Sequence, residues 1–213
     1  MIDDYRHKGM RKKLVDSIRE KGIKDENVLE SIQKVPRHFF LDSSFTEIAY
    51  QDKPFPIGSG QTISQPYTVA FQSELMEISK GDKILEIGTG SGYQACILIE
   101  MGAKVYSIER HRSLYIKTKS LLSSMGYFPK LFYGDGYEGL PSYAPFDKIL
   151  VTAGAPLIPN ALLQQLKAGG FMIIPLGKGN NQVMTKIIKR NEKDFEKIEY
   201  GNFRFVPLLN KKA

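Results

Sequence analysis

Residues 83–93 read KILEIGTGSGY, and this stretch predicts the fold of the chain most directly. Ile84, Leu85 and Ile87 form the kind of short apolar run that suits a strand covered on both faces. Three glycines follow, and glycine adopts backbone angles that a side chain forbids. A helix over residues 92–101 would then direct its partly positive amino end at a ligand above the turn. The stretch therefore predicts a strand, a ligand-binding turn and a helix.

The spacing of the glycines narrows the class of ligand. The dinucleotide fingerprint G-x-G-x-x-G requires a third glycine at position 93, where this chain has Tyr93. Instead, Glu86 precedes Gly88, Gly90 and Gly92, so an acid is followed by G-x-G-x-G. A pyrophosphate would fit this turn poorly. The alternative is a turn that only joins strand to helix, because short glycine motifs often do no more.

The composition is that of an ordinary globular protein, with 213 residues, 42% hydrophobic and 25% charged. Its net charge of +7 lies at the ends, with +3 in residues 1–40, −1 in residues 41–177 and +5 in residues 178–213. Acids are interspersed among these basic residues, so we expect no nucleic-acid partner. The first residues are acidic and no apolar run has membrane-spanning length, so we expect a cytoplasmic protein without membrane contact.

Cys96 is the only cysteine of the chain. A single cysteine excludes an intramolecular disulfide and a cysteine-based metal cluster. We expect no metal site, and we expect a monomer.

Two amphipathic helices are predicted at the amino end, over residues 4–21 and 25–34, each with apolar residues at helical spacing. Pro36 disfavours helical geometry at Val35 and so ends the second helix. His38 stands beside Phe39 and Phe40, which is more typical of a packing residue than of a functional histidine.

Residues 50–66 form a long segment without regular periodicity, and long structured loops within compact domains tend to be functional. The polar run QTISQ of residues 61–65 ends directly before a helix predicted over residues 66–78. Ser64 and Gln65 lie where an N-cap is expected, with Pro66 at the first helical position. Taken alone, these residues favour a capping role for Ser64.

After the glycine turn, strands and helices alternate, which predicts an α/β fold with a doubly wound, mostly parallel sheet. Strands are predicted over residues 104–108, 130–133, 147–152 and 171–175, and helices over residues 111–125 and 159–167. Glu109 closes the second strand, where an acid accepts hydrogen bonds from ribose hydroxyls. Alternatively, it is a surface acid paired with Arg110 or Arg112. Asp135, between two glycines, either faces an adenine edge or forms a turn.

In the last part of the chain, strand-like runs follow one another without helices between them. Residues 182–188, 195–198 and 203–209 are strand-like runs separated by charged turns, which predicts an antiparallel finish to the sheet. No linker marks a second domain. We therefore expect one domain of three parts: N-terminal helices and active-site loop (1–65), cofactor-binding core (66–177) and C-terminal antiparallel strands (178–213).

The motifs together resemble those of a known family. The acid and glycines of residues 86–92 resemble the first motif of class I S-adenosylmethionine-dependent methyltransferases. Nearly the whole chain is similar to the protein-L-isoaspartate O-methyltransferases. The motifs that carry this resemblance are PIG-x-GQTISQP (56–66), EIGTGSGY (86–93), GDG (134–136), PFD-x-I (145–149), A-x-AP (153–156), LK-x-GG (166–170) and FVPL (205–208).

The resemblance implies a reaction. A methyl group would pass from S-adenosylmethionine to the free α-carboxylate of L-isoaspartyl residues in damaged proteins and peptides. The ester then cyclises to a succinimide, whose hydrolysis restores some normal aspartyl linkage. A carboxylate with a pKa of about 4 is already an anion at neutral pH, so its methylation needs alignment rather than a general base.

The resemblance also implies the site residues, with Ser64 as the active-site residue whether or not it caps the helix. The residues implied to hold the cofactor are Gln61, Thr62, Ile63, Ser64, Glu86, Gly88, Thr89, Gly90, Ser91, Gly92, Glu109, Arg110, Asp135 and Gly136. Those implied to bind the substrate, as a wall of a shallow peptide groove, are Ile63, Val206, Pro207 and Leu208.

Two other functions compete with this interpretation. One is a class I methyltransferase that acts on RNA or a small molecule, but the core is nearly neutral and an N-P-P-Y amine-methylation motif is absent. The other is a cofactor-binding module without catalysis. Such a module would be expected to have a damaged loop at residues 61–66, and here that loop is intact.

Overall fold

The structure is a computed structural model that describes residues 2–179 and 181–213. Its helices are α1 (Tyr5–Glu20), α2 (Glu26–Lys34), α3 (Pro66–Leu75), α4 (Tyr93–Glu100), α5 (Arg112–Ser124) and α6 (Asn160–Gln164). Its strands are β1 (Phe55–Gly58), β2 (Gln61–Ile63), β3 (Lys83–Ile87), β4 (Lys104–Glu109), β5 (Lys130–Tyr133), β6 (Phe146–Val151), β7 (Leu166–Leu176), β8 (Gln182–Lys189) and β9 (Phe195–Phe203). Short 3-10 turns lie at Arg37–Phe40, Ser43–Ile48 and Pro141–Tyr143.

Seven strands form one mixed sheet in the order β5-β4-β3-β6-β7-β8-β9. The first five strands in this order run parallel, whereas β8 pairs antiparallel with both β7 and β9. This confirms the predicted α/β fold with a mostly parallel sheet, antiparallel C-terminal strands and N-terminal helices.

The strand order reverses at β3, which lies between β4 on one side and β6 on the other. Chain crossovers leave β3 and β6 in opposite directions, so a crevice opens at the carboxyl ends of these strands. The glycine turn follows β3 and therefore faces this crevice. The register places Glu86 of β3 beside Ser107 of β4 and Leu150 of β6.

Apolar layers cover both faces of the sheet. On one face, Ala95 and Leu98 of α4 pack against Ile84 and Ile173 of the sheet. On the other face, α6 contributes Leu162 to a cluster with Leu85, Ile149 and Met172. Burial of such side chains contributes about 1.5–3 kcal/mol each. The glycine turn is therefore held by a packed frame.

The N-terminal helices extend the first of these layers. Leu14 and Ile18 of α1 and Ile32 of α2 join a cluster that includes Ile97 of α4. Among the described residues, no helix has the length and the apolar character needed to cross a membrane.

A short hairpin lies within residues 50–66, which we predicted to be an irregular segment. Strands β1 and β2 pair antiparallel, with Phe55 opposite Ile63. Phe55, Ile57 and Ile63 are all buried in the core. The prediction of an irregular segment is wrong here because two short strands, one with a proline, show too little alternation to be recognised.

The predicted third C-terminal strand over residues 203–209 is also wrong. Strand β9 continues to Phe203, and the chain beyond it crosses the carboxyl ends of the parallel strands. It is held at Gly154, whose amide donates to the Val206 carbonyl while its carbonyl accepts from the Leu208 amide. The apolar side chains of this run thus lie at the crevice and not at a sheet edge.

Candidate active site

The glycine turn after β3 needs glycine for two separate reasons. Gly88 and Gly92 have φ angles of +98° and +85°, in the left-handed region that side chains disfavour. A Cβ on Gly88 would also lie 2.6 Å from Thr152 Oγ1, and one on Gly92 would lie 2.7 Å from Thr118 Cγ2. The turn is therefore packed from both sides as well as bent.

Hydrogen bonds fix the turn to its neighbours. The amides of Gly88 and Thr89 both donate to the Ile108 carbonyl, at 2.9 and 3.0 Å. Thr118 Oγ1 donates to the Gly90 carbonyl at 2.6 Å. Thr152 Oγ1 donates to the carbonyl of Gly88 at 2.8 Å. Bonds from β4, α5 and the end of β6 thus set the position of the backbone before any ligand arrives.

A cavity lies above this turn, and most of the predicted site residues line it. These are Gln61, Thr62, Ile63, Ser64, Gly88, Thr89, Gly90, Ser91, Glu109, Arg110, Gly136, Val206, Pro207 and Leu208. Glu86, Gly92 and Asp135 do not line it. The tertiary structure therefore brings together residues that are up to 147 positions apart, Gln61 and Leu208 being the extremes.

Glu109 is a buried cavity residue and not the surface acid of the alternative interpretation. Its side chain is 4% exposed. One carboxylate oxygen accepts from the Gly90 amide and the other from the His111 amide, each at 2.8 Å. Neither Arg110 nor Arg112 forms an ion pair with it among the described contacts. Each oxygen keeps lone pairs that can accept from hydroxyl groups of a ligand.

Glu86 lies beneath the cavity, in contrast to the direct contact predicted for it. It is 0% exposed, and it accepts a hydrogen bond from Ser107, which in turn contacts Thr89 Oγ1 at 2.6 Å. Burial raises the pKa of Glu86 to about 8, although the Ser107 hydrogen bond opposes this shift. The carboxyl group therefore acts on the turn through Ser107 and Thr89, and it is mostly protonated at neutral pH.

We expect the free energy of unfolding of the wild type to fall between pH 5 and pH 8, and we expect Glu86→Gln to abolish this fall. The folded protein keeps a proton up to a pKa of about 8 that the unfolded chain releases near 4.5. Between these values the folded state binds more protons, so the stability contributed by Glu86 is complete below the lower value and is lost as pH rises. At pH 8 the variant should be more stable than the wild type by about 1–3 kcal/mol.

Urea unfolding at pH 5, 6.5 and 8 without cofactor measures this effect. Parallel curves of stability against pH for the two proteins would show that Glu86 ionises normally. Ser107→Ala serves as a control, because it removes the hydrogen bond to Glu86 without removing the titrating group.

Asp135 forms a turn, one of its two predicted roles. One carboxylate oxygen accepts from the Tyr137 amide at 2.8 Å, and the other accepts from the Lys211 amide at 2.5 Å. Both oxygens are thus engaged by the backbone. Gly136 lines the cavity in its place.

Ser64 does not cap α3. The N-cap residue is Gln65, which makes no side-chain cap bond. Asp52 takes this role from outside the local sequence, because one oxygen accepts from the Tyr67 amide at 2.8 Å and the other from Gln65 Nε2 at 3.0 Å. Burial opposes its ionisation, but hydrogen bonds from Lys21, Tyr67 and Gln65 hold the pKa of Asp52 below its ordinary value. The Ser64 hydroxyl has no protein partner within the described part of the chain.

A groove continues from the cavity across the surface. Cavity and groove share Thr62, Ser64, Thr152, Val206 and Pro207. The outer part of the groove is lined by aromatic side chains and by one cation, namely Tyr67, Phe71, Phe203, Phe205 and Arg204. Ser64 therefore stands on the wall that the cavity shares with the groove.

Comparison with known proteins assigns this architecture to a family. A family model described as Protein-L-isoaspartate(D-aspartate) O-methyltransferase (PCMT) matches residues 9–213. The chain belongs to this family. A Protein-L-isoaspartate O-methyltransferase of Christiangramia forsetii is 62% identical over 213 residues, and one of Flavobacterium psychrophilum is 60% identical over 213 residues. Both alignments cover 100% of each chain.

A solved structure agrees with the family assignment. The protein-L-isoaspartate O-methyltransferase of Plasmodium falciparum in complex with S-adenosyl-L-homocysteine superposes with a TM-score of 0.81 and 27% identity. The alignment covers 93% of this chain and 98% of that one. The chain thus has the sheet, helices and crevice of a methyltransferase of this family.

Several cavity residues of this family member were not predicted from the sequence. They are Val69, Ile87, Tyr93, Gln94, Ile108, His111, Thr152, Ala153 and Leu209. Gln94 follows the glycine turn by two positions, which was an available signal. Its Nε2 donates to Ser73 Oγ at 2.9 Å, while its buried Oε1 has no partner among the described residues. Thr152 gave no local signal because it reaches the turn from the position directly after β6.

Outside the cavity, Asp3, His7 and His38 bring potential metal ligands within 4.8 Å of one another. Both Asp3 oxygens accept from Arg11, at 3.0 and 2.9 Å. Both ring nitrogens of His38 are also engaged, by Tyr50 Oη at 2.7 Å and the Ile2 carbonyl at 3.1 Å. The His38 side chain is buried and hydrogen-bonded, as the packing interpretation predicts.

Proposed function

We propose that this protein transfers a methyl group from S-adenosylmethionine to the free α-carboxylate of L-isoaspartyl residues, which initiates repair of damaged proteins and peptides. Membership of the family supports this activity. The single observation that carries it in this chain is the position of Ser64, which lines both the cavity and the groove and whose hydroxyl has no protein partner among the described residues. A donor in the cavity and a peptide in the groove would meet there.

The cavity residues fit the cofactor chemically. Glu109 offers buried carboxylate oxygens to a pair of hydroxyls, and Ile108 and Leu208 offer apolar surface to an aromatic base. Gln94 Oε1 is a buried acceptor without a partner in the described chain, which suits an ammonium group. When bound, S-adenosylmethionine supplies an electrophilic methyl group.

The remaining task of the protein is to align the acceptor. A substrate carboxylate is an anion at neutral pH, so no side chain has to remove a proton from it. The Ser64 hydroxyl can donate to one carboxylate oxygen and leave the other free, and a hydrogen bond to a charged group contributes about 1.5–3 kcal/mol. We propose that Ser64 orients the carboxylate, and that Ile63, Val206, Pro207 and Leu208 hold the chain around it.

We also propose the finer properties of the protein. It acts as a single-domain monomer in the cytoplasm, on protein and peptide chains rather than on nucleic acid or membrane. The absence of a nucleic-acid partner is supported by the nearly neutral charge of residues 41–177, which contain the glycine turn and the loop that bears Ser64. Light scattering tests the monomer, since a mass near twice 24.1 kDa would contradict it.

A pair of peptides tests the activity directly. We expect labelled methyl groups to pass from S-adenosylmethionine to a peptide with one L-isoaspartyl residue, and not to the same peptide with a normal aspartyl residue. The two peptides differ only in which carboxyl group of the residue forms the peptide bond to the next residue. Equal labelling of both peptides, or labelling of neither by protein that binds the cofactor, would show that the acceptor is a different group.

A further inference from the structure

Arg37 is a buried cation that the reaction described above does not use. It lies in the 3-10 turn at Arg37–Phe40, its side chain is 0% exposed, and it does not line the cavity. Asp52 is the acid that influences it, but the Asp52 carboxylate is paired with Lys21. In the described chain Arg37 therefore has no carboxylate of its own.

The partners of Arg37 are backbone carbonyls from three separate segments. Nε donates to the Ala49 carbonyl at 3.1 Å, and Nη2 donates to the carbonyls of Lys53 at 3.3 Å and Ser64 at 2.8 Å. The guanidinium also lies over the ring of Tyr93, 5.0 Å from its centroid. Tyr93 belongs to α4 and lines the cavity.

The burial of Arg37 without a carboxylate partner is unfavourable for the stability of the fold. Burial of a charge destabilises the folded state, and neutral carbonyls offset this loss of hydration less fully than a carboxylate would. Burial lowers the pKa of Arg37 to about 10, so the guanidinium still carries its charge at neutral pH. A planar guanidinium can hold several acceptors in one fixed geometry, which a lysine ammonium cannot.

We propose that Arg37 is the positioning residue for Ser64, and that its hydrogen bond to the Ser64 carbonyl sets the serine on the wall between cavity and groove. It joins the loop that bears Ser64 to Tyr93, the first residue of the helix after that turn. Asp52 holds the following residues, Gln65 and Tyr67, through its carboxylate. The loop is thus held from both sides of Ser64. This inference rests on the proposed function of Ser64.

Arg11 provides a matched control. It is also a buried arginine, 3% exposed, and it also has three partners: the Gln33 carbonyl, Asp3 and Tyr50 Oη. None of these partners lines the cavity or the groove. Replacement of Arg11 by lysine should therefore disturb the N-terminal packing without displacing Ser64.

The experiment compares Arg37→Lys with Arg11→Lys. We expect Arg37→Lys to lower kcat for an isoaspartyl peptide by about 10-fold or more, because small displacements of a positioning group have large effects on rate. The Kd for S-adenosyl-L-homocysteine should stay within about 3-fold, because the glycine turn and Glu109 are held by hydrogen bonds that do not involve Arg37. Arg11→Lys should lower Tm without lowering kcat. Equal loss of kcat in both variants would overturn the proposal.

A second measurement separates this proposal from the proposed function. Hydrogen exchange of residues 61–67, followed by mass spectrometry, reports the order of the loop whether or not the protein methylates the peptide. We expect faster exchange in Arg37→Lys and unchanged exchange in Arg11→Lys. Unchanged exchange in Arg37→Lys would overturn the proposal, whereas an inactive wild type would overturn only the proposed function.

Two further variants close the test. Arg37→Gln keeps one NH2 group as a donor and removes the buried charge, so it serves if Arg37→Lys does not fold, and the same loss of kcat is expected. In a Ser64→Ala background, Arg37→Lys should have little additional effect on kcat, because the group that it positions is gone. Full additivity of the two losses would show that Arg37 does not act through Ser64.

Discussion

Glu109→Ala is expected to weaken binding of S-adenosylmethionine by about 1–3 kcal/mol, roughly 5- to 150-fold in Kd. The carboxylate lines the cavity and is almost completely buried, so hydroxyl groups of the ligand would lose charge-assisted partners that water cannot replace. The loss has a second source. The amides of Gly90 and His111 each lose their acceptor, which loosens the turn on which the ligand rests.

Isothermal titration with S-adenosylmethionine and S-adenosyl-L-homocysteine measures this effect. Glu109→Gln should give an intermediate affinity, because its single carbonyl oxygen can replace only one of the two carboxylate oxygens. Glu138→Ala is the control, since Glu138 is an exposed acid near the same edge of the sheet that does not line the cavity. Unchanged affinity in Glu109→Ala, together with a lower Tm, would limit Glu109 to a structural role.

Ser64→Ala is expected to lower kcat/KM for an isoaspartyl peptide by roughly 10- to 100-fold, which corresponds to one hydrogen bond to a charged group. The Kd for S-adenosyl-L-homocysteine should change much less, because the glycine turn and Glu109 remain. Stability should also change little. Asp52 caps the helix in place of Ser64, and the Ser64 hydroxyl has no protein partner in the described chain.

Ser59→Gly is the control for this experiment. Ser59 lies between β1 and β2 of the same hairpin, its hydroxyl contacts Ser113, and its φ angle of 52° suits glycine. It should leave kcat/KM unchanged. If Ser64→Ala weakened cofactor binding as much as it lowered kcat/KM, Ser64 would be a cofactor ligand rather than the residue that orients the substrate.

The parallel half of the sheet was predictable from local sequence. Strand β5 has the predicted bounds, β3 contains the apolar run predicted to be a strand, and β4 extends only to the predicted closing residue, Glu109. Each is a short apolar run between polar or glycine residues, so its limits are encoded within a few positions. The predicted helix over residues 66–78 is shorter, ending at Leu75, because Met76 and Glu77 close it with backbone bonds.

The segments that complete the site were less predictable. The hairpin at Phe55 and Ile63 and the run over residues 204–209 both contain apolar residues that a local pattern assigns to the wrong element. Their positions depend on contacts with residues far along the chain. Gly154, for example, holds both Val206 and Leu208 through its own amide and carbonyl.

The architecture and the type of turn are encoded in local sequence. The spacing of Gly88, Gly90 and Gly92 is a local backbone property, and the apolar strand before it needs no distant partner to be recognised. Which side chains act at the turn depends on contacts that form between distant parts of the folded chain. Glu86 is buried beneath it, and Asp52 caps the helix that Ser64 was expected to cap. The Arg37 contact with the Ser64 carbonyl spans 27 positions, and such partners become neighbours only when the chain has folded.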